Sequence, residues 1–218
     1  MTNDSFFVVI EGMDGAGKSS IARQLHDSLS PAHGGCVEFT YEPHDPSAAG
    51  HYIREVLAQR VKASPRALAL AFALNRADHL DTVINPFLAA GGNRIVISDR
   101  YMLSSLVYQS TDGLSMEDVY QLNRWARRPD ISLYLSASPH NCYARLRNRP
   151  QDRELFERNL AERSEKYAAA IALLRNKGEI ILEVDANPAF SDVLTSVIHL
   201  LKDHGPKWLR IQPPLLLG

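Results

Sequence analysis

Gly12-Met13-Asp14-Gly15-Ala16-Gly17-Lys18-Ser19 decides how this chain is read. The stretch fits G-x-x-x-x-G-K-[ST], the pattern of a phosphate-binding loop. Before it, Phe6-Phe7-Val8-Val9-Ile10 is an apolar, partly β-branched run, as expected of a buried parallel strand. After it, Ile21, Leu25 and Leu29 recur at helical spacing. Glycines let backbone N–H groups close around phosphate oxygens with no Cβ in the way. The following helix adds its positive N-terminal end. The loop residues Gly12, Asp14, Gly15, Ala16, Gly17, Lys18, Ser19 and Ser20 are therefore expected to hold a nucleotide's phosphates. Lys18 can reach the outer phosphates, and the Ser19 hydroxyl can join a Mg²⁺ shell.

The 218 residues suit one α/β domain with a full core, spanning 1–218. Hydrophobic content of 45% and charged content of 22% are ordinary for a soluble globular chain. A formal net charge of −1 offers no global field for a nucleic acid polymer or an anionic membrane, so phosphate recognition must come from local arginines. Cys36 and Cys142 are too few for a disulfide framework or a zinc cluster. Thr2-Asn3-Asp4-Ser5 leads into a strand rather than a long apolar helix, and no apolar run reaches the ~18 to 20 residues of a membrane span, so a cytoplasmic location is expected.

Outward from the loop, strands and helices alternate. Cys36 to Tyr41 reads as a second strand, and Ala48 to Val61 as a helix. Ser64-Pro65 looks like an N-cap followed by proline at the first helical position. It opens a long helix that ends near Gly91-Gly92. Arg94 to Ser98 is a third strand, Ser115 to Arg127 a helix, and Asp130 to Leu135 a fourth strand. A helix from Ser138-Pro139, a second from Leu155 to Leu174, a strand from Glu179 to Val184 and a helix from Pro188 to Leu201 complete the pattern. Such alternation predicts a three-layer α/β/α phosphate-loop fold on a five-stranded parallel sheet, with ligands outside the carboxyl ends of the strands. Glu42 and Asp99-Arg100 fall at that rim. Asp99 can support Mg²⁺, and Arg100 can grip a second phosphate group. Arg145, Arg147, Arg149 and Arg153 crowd around Pro150, as in a closing lid of about 146–156 that neutralises charge and excludes water. Phe72 and Arg76 share one helix face, where an aromatic ring can stack on a base and a guanidinium can donate to a base carbonyl. The histidines, His44 and His79 among them, lack metal-ligand spacing and receive no role.

Four motifs in order give the chain a resemblance to the thymidylate kinase family. They are Ile10 to Ser19, Phe72-Ala73-Leu74-Asn75-Arg76, Val96 to Tyr101 with Ser104-Ser105-Leu106-Val107-Tyr108-Gln109, and Pro129 to Leu135. The resemblance implies transfer of the γ-phosphoryl of ATP to a pyrimidine deoxynucleoside monophosphate, dTMP, with Mg²⁺. It implies that Phe72 stacks on the thymine ring, Arg76 bonds its O4, and Ser105 and Gln109 lie near the base edge. Tyr108 would crowd the sugar 2′ position. Asp14 would meet the sugar 3′-hydroxyl or the acceptor phosphate region, with Glu42 and Pro43 also on the acceptor side. Arg100 would bind the acceptor phosphate, and Ser19 and Asp99 would hold the metal. Gly15 stands where some members carry a loop arginine, so Arg149 and Arg153 become the candidates for a catalytic lid arginine beside Lys18 and Arg100. A homodimer through helices around 67–80 and 104–119 is also implied. The chain departs from the family at Tyr41-Glu42-Pro43, where Arg-Glu-Pro is usual, at Ser136, where aspartate is usual, and in a shortened lid. A kinase for another or a modified pyrimidine monophosphate is the alternative, and a non-catalytic nucleotide-binding switch a more remote one. The apolar stretch 205–218 has no assigned place.

Overall fold

Strand β1 (Phe6–Gly12) is buried along its whole length. It is the centre of the sheet in the computed structural model, which describes residues 4–147 and 160–212. Among the described residues β2 (Val37–Tyr41), β3 (Ile95–Asp99), β4 (Ile131–Ser136) and β5 (Ile181–Asp185) complete one parallel sheet in the order β2-β3-β1-β4-β5. Val8 pairs with Ile97 on one side and Ile131 on the other, which explains why β1 carries no polar residue until Glu11. The crossover from β1 to β2 runs one way along the sheet, and those that follow run back. Right-handed crossovers then place helix α1 (Lys18–His33) on one face and the helices of the later crossovers on the other. The last helix, α9 (Phe190–His204), returns to pack beside α1.

On the later-crossover face, α2 (Ala48–Leu57) packs against α3 (Pro65–His79). Ser64 caps α3 by accepting from the Ala67 N–H at 3.2 Å, with Pro65 at the first helical turn. The long helix read from the sequence runs unbroken from Pro65 to Ala89, with helical dihedrals at each junction, and carries a π turn within it. After His79 the chain makes a π turn over Leu80–Ile84 and then α4 (Asn85–Ala89). Helix α5 (Met102–Gln109) is buried at every residue. Helix α6 (Met116–Leu122) starts at a Ser115–Asp118 capping box and stops well short of the expected Arg127. It ends there because Asn123 turns its amide back onto the Val119 carbonyl and accepts a guanidinium N–H from α3. Helix α7 (Pro139–Arg147) and helix α8 (Leu160–Asn176) flank the expected lid, of which residues 148–156 lie outside the described residues. Part of the unassigned C-terminal stretch now has a place: Trp208 meets His33 edge-on, Leu209 joins the core, and the Gln212 N–H donates to the Ser28 carbonyl.

Candidate active site

The phosphate loop sits at the carboxyl end of β1. Gly15 has φ +84°, and a Cβ there would stand 2.5 Å from the Cys142 carbonyl oxygen of α7. Only glycine fits a left-handed position so close to another backbone. Lys18 is 5% exposed; its Nζ donates to the Met13 carbonyl at 2.8 Å and lies 3.9 Å from Asp14 Oδ1. Burial and the neighbouring Arg100 charge bring the Lys18 ammonium down to about 8. The Ser19 hydroxyl, exposed like Ser20, donates to Asp99 Oδ2 at 2.5 Å, whereas Asp99 Oδ1 is buried with no partner among the described residues. An unpartnered carboxylate oxygen beside the loop serine suits a hydrated divalent cation.

Arg100 follows β3 with φ +74°, a costly conformation for a residue with a side chain. Backbone and side-chain contacts both hold it. Its N–H donates to the Ile10 carbonyl, its carbonyl accepts from Ser98 Oγ, and its guanidinium pairs with Asp14 Oδ1. Tyr108 completes the cluster, donating to Asp14 Oδ2 at 2.9 Å. Burial would raise the Asp14 carboxyl, but the Arg100 and Lys18 charges hold it below the usual carboxylate range. Asp14 therefore joins Lys18 of the loop to Arg100 of the next strand.

Three residues of this cluster received no role from the sequence. Glu11 is buried; its carboxylate accepts from the Tyr101 and Ser104 N–H groups and from Ser104 Oγ, and so ties the start of α5 to the phosphate loop. Arg163 of α8 lies 4.5 Å over the Tyr108 ring, which Arg100 also approaches at 5.3 Å. One turn on, the Tyr167 hydroxyl donates to the Gly12 carbonyl at 2.8 Å. The i, i+4 spacing of Arg163 and Tyr167 was visible, but nothing local said that this helix face meets the loop. Arg145 is not a free lid arginine: it donates to the Gly15 and Ala16 carbonyls at 3.4 Å and to the Ala186 carbonyl at 2.9 Å. Arg149 and Arg153 lie outside the described residues.

The second half of the rim is built from α3. Phe72 is half-buried and packs against the apolar cluster of Ile53, Val56, Leu57 and Leu68. Arg76 is 2% exposed. Its Nε and Nη2 both donate to Glu42 Oε2, at 2.9 and 2.6 Å. Nη2 also meets the Tyr101 carbonyl and Ser105 Oγ, and Nη1 donates to Asn123 Oδ1. A single Nη1 hydrogen is left without a partner among the described residues. Glu42, expected on the acceptor side, is the counter-ion of Arg76, with Pro43 buried beside it. Burial alone would raise the Glu42 carboxyl; Arg76 and His79 hold it below its ordinary value. Gln109 is buried on α5 with its Oε1 unpartnered among the described residues. A cavity of about 80 Å³ adjoins Arg76, lined by Ala73, Ala77, Leu122, Asn123 and Trp125 among others.

The sequence model of the family described as thymidylate kinase matches residues 10–197. The chain belongs to the thymidylate kinase family. A probable thymidylate kinase of Caldivirga maquilingensis is 36% identical over 201 residues, 90% of this chain and 93% of that one. One of Staphylothermus marinus is 37% identical over 207 residues, 93% and 97% of the two chains. The crystal structure of thymidylate kinase from Ehrlichia chaffeensis superimposes with a TM-score of 0.70 at 22% identity, covering 91% of this chain and all of that one, which shows the shared fold. The expected α/β phosphate-loop kinase fold on a five-stranded parallel sheet is thus the observed one. Among the described residues no helix is long and apolar enough to cross a membrane.

Proposed function

We infer that this chain transfers the γ-phosphoryl group of ATP to dTMP, giving dTDP and ADP. The observation that carries the reading is the Lys18–Asp14–Arg100 junction: a phosphate-loop lysine and a rim arginine converge on one carboxylate at the carboxyl end of the sheet. The relatives' names and the family support the same substrates. In this reading the phosphate loop binds ATP, and Arg100 binds the acceptor phosphate. An oxygen of that phosphate attacks the γ-phosphorus in line. The new O–P bond forms as the bond to the bridging oxygen of ADP breaks, and Lys18 and Arg100 neutralise charge on the transferring group. Mg²⁺ would be held by Ser19 and Asp99 and would supply further neutralisation of phosphate charge. Phe72 covers the base, Arg76, Ser105 and Gln109 line its polar edge, and Tyr108 abuts the sugar beside Asp14. Arg149 or Arg153 supplies the lid arginine.

We also propose that residues 1–218 act as one kinase domain in the cytoplasm, and that two copies pair through α3. Leu70 and Leu74 on α3 are 49% and 63% exposed and Trp125, just past α6, is 80% exposed, whereas α5 is buried at every residue. Sedimentation of the purified protein tests the pairing. A panel of monophosphates assayed with ATP and Mg²⁺ tests the activity. Turnover with dTMP should far exceed that with dUMP, dCMP or dGMP; equal or reversed rates would refute the reading.

A further inference from the structure

Behind Glu42 stands a histidine to which the substrate reading gives no task. His79 is completely buried on α3, one turn after Arg76. Its Nδ1 lies 3.5 Å from Glu42 Oε1, and neither atom has a hydrogen-bond partner among the described residues. Its Nε2 lies 2.6 Å from Thr40 Oγ1 on β2. The His44 ring stacks on it at 4.3 Å, only 8° from parallel. His44 is in turn fixed by Asn75, whose amide bonds both the N–H and the carbonyl of its backbone.

These contacts select one tautomer. A lone pair on Nδ1 facing a carboxylate oxygen would be repelled, so Nδ1 carries the proton and meets Glu42 through charge across 3.5 Å. Nε2 is then the acceptor, and the Thr40 hydroxyl donates to it. The result is a chain from Thr40 through His79 and Glu42 to Arg76. Each group takes its orientation from the one behind it, much as an outer partner orients a ligand histidine. Arg76 keeps one N–H without a partner among the described residues, so a rigid guanidinium offers a base a donor of fixed direction.

We infer that His79 is a positioning residue: acting through Glu42, it holds Arg76 in the orientation that accepts a ring carbonyl and rejects a ring amine. The inference rests on the reading that Arg76 faces the base of a pyrimidine monophosphate. Thymine carries a carbonyl at ring position 4 and cytosine an amine. A guanidinium donor rewards the first and is left unpaired by the second. Once the chain is cut, Glu42 still pairs with Arg76 through Oε2, but its Oε1 side is no longer held, so the pair can turn and the remaining N–H loses the fixed direction that favours a carbonyl over an amine.

The test compares two amide replacements that differ in where they put a donor. In His79→Asn the amide nitrogen stands close to the position of Nδ1 and can still reach Glu42. In His79→Gln it stands near Nε2 and reaches Thr40 instead. The readout is the ratio of kcat/KM for dTMP to that for dCMP, alongside the KM for ATP and the melting temperature of each variant. His79→Gln should lower the ratio about tenfold, while His79→Asn stays within about threefold of the parent. The KM for ATP should be unmoved in both. In a Glu42→Gln background, His79→Gln should produce no further change. Thr40→Val keeps the volume while removing the donor to Nε2, so it should lower the ratio in the same direction even if the histidine variants fail to fold. Equal ratios in the Asn and Gln variants, an effect that persists without Glu42, or a Thr40→Val protein with the parent ratio would overturn the inference. A parent that does not prefer dTMP would instead remove the substrate reading beneath it.

Discussion

The two ends of the rim are built by different means. At the phosphate loop the working groups are main-chain amides and residues within eight positions of one another, from Gly12 to Ser19. Their geometry follows from glycine conformations and from the start of α1. At the α3 end the working group is a guanidinium whose donors, all but one Nη1 hydrogen, go to Glu42, Tyr101, Ser105 and Asn123, drawn from three other parts of the chain. The first end is a local construction, and the second exists only once the chain has folded. The first should therefore tolerate changes elsewhere and fail outright when its own residues change. The second should fail by degrees, and its failures should appear in stability and acceptor choice before they appear in turnover.

Lys18→Ala is the sharpest way to break the local end. It should reduce turnover about a thousandfold with every acceptor, because charge neutralisation of the transferring group is lost. Melting temperature should change little, since the Lys18 ammonium is costly to bury. A variant with near-normal rate would remove the loop from the mechanism. The next largest effect belongs to the distributed end. Arg76→Met leaves the buried Glu42 charge without its partner and should cost about 3–5 kcal/mol of stability in denaturant titration. Adding Glu42→Leu to it should recover most of that loss, since a buried pair is worth less than the penalty for half of it. No recovery would mean that Glu42 has another essential partner.

Protonation distinguishes the ends further. The Lys18 ammonium is held down to about 8 by burial and by Arg100, and polyphosphate bound beside it would push it back up. ATP affinity should therefore fall as pH rises through about 8, and binding at about pH 8.5 should take up a proton. Calorimetry in two buffers of different ionisation heat reads that uptake; none at that pH would contradict it. The smallest effect lies at the opposite rim, where Glu179 precedes β5 and has one oxygen unpartnered among the described residues. Burial raises its carboxyl to about 7 despite Arg128 nearby. A raised carboxyl favours the fold while protonated, so this contribution is complete below about pH 4.5 and is lost as pH rises through about 7. Glu179→Gln should be more stable than the parent by about 1–3 kcal/mol at pH 8, and no more stable at pH 4. Equal curves at both pH values would place Glu179 in contact with water.

The same contrast explains what could be read from the sequence alone. The sheet, the loop and the cap at Ser64 were legible because each depends on neighbours in the chain: apolar runs, glycine spacing, a serine before a proline. The positions of Asp99 and Arg100 at the rim followed from the strand before them. Glu42 was placed at the rim, but its pairing with Arg76 was not legible, because it spans 34 residues and leaves no periodic trace. His79 was passed over because a histidine without metal-ligand spacing gives no signal of its own; what makes it notable is the carboxylate 3.5 Å away. The end of α6 was overestimated for a related reason, since the Asn123 side chain that turns onto the Val119 carbonyl is held there by a guanidinium from α3.

The most direct measurement follows the phosphorus atom itself. A single turnover with γ-labelled ATP, Mg²⁺ and dTMP should put the label in the terminal phosphate of dTDP, with ADP formed in equal amount. Label recovered only as inorganic phosphate, or remaining in ATP while dTMP is left unchanged, would contradict direct transfer between two nucleotides held at this rim.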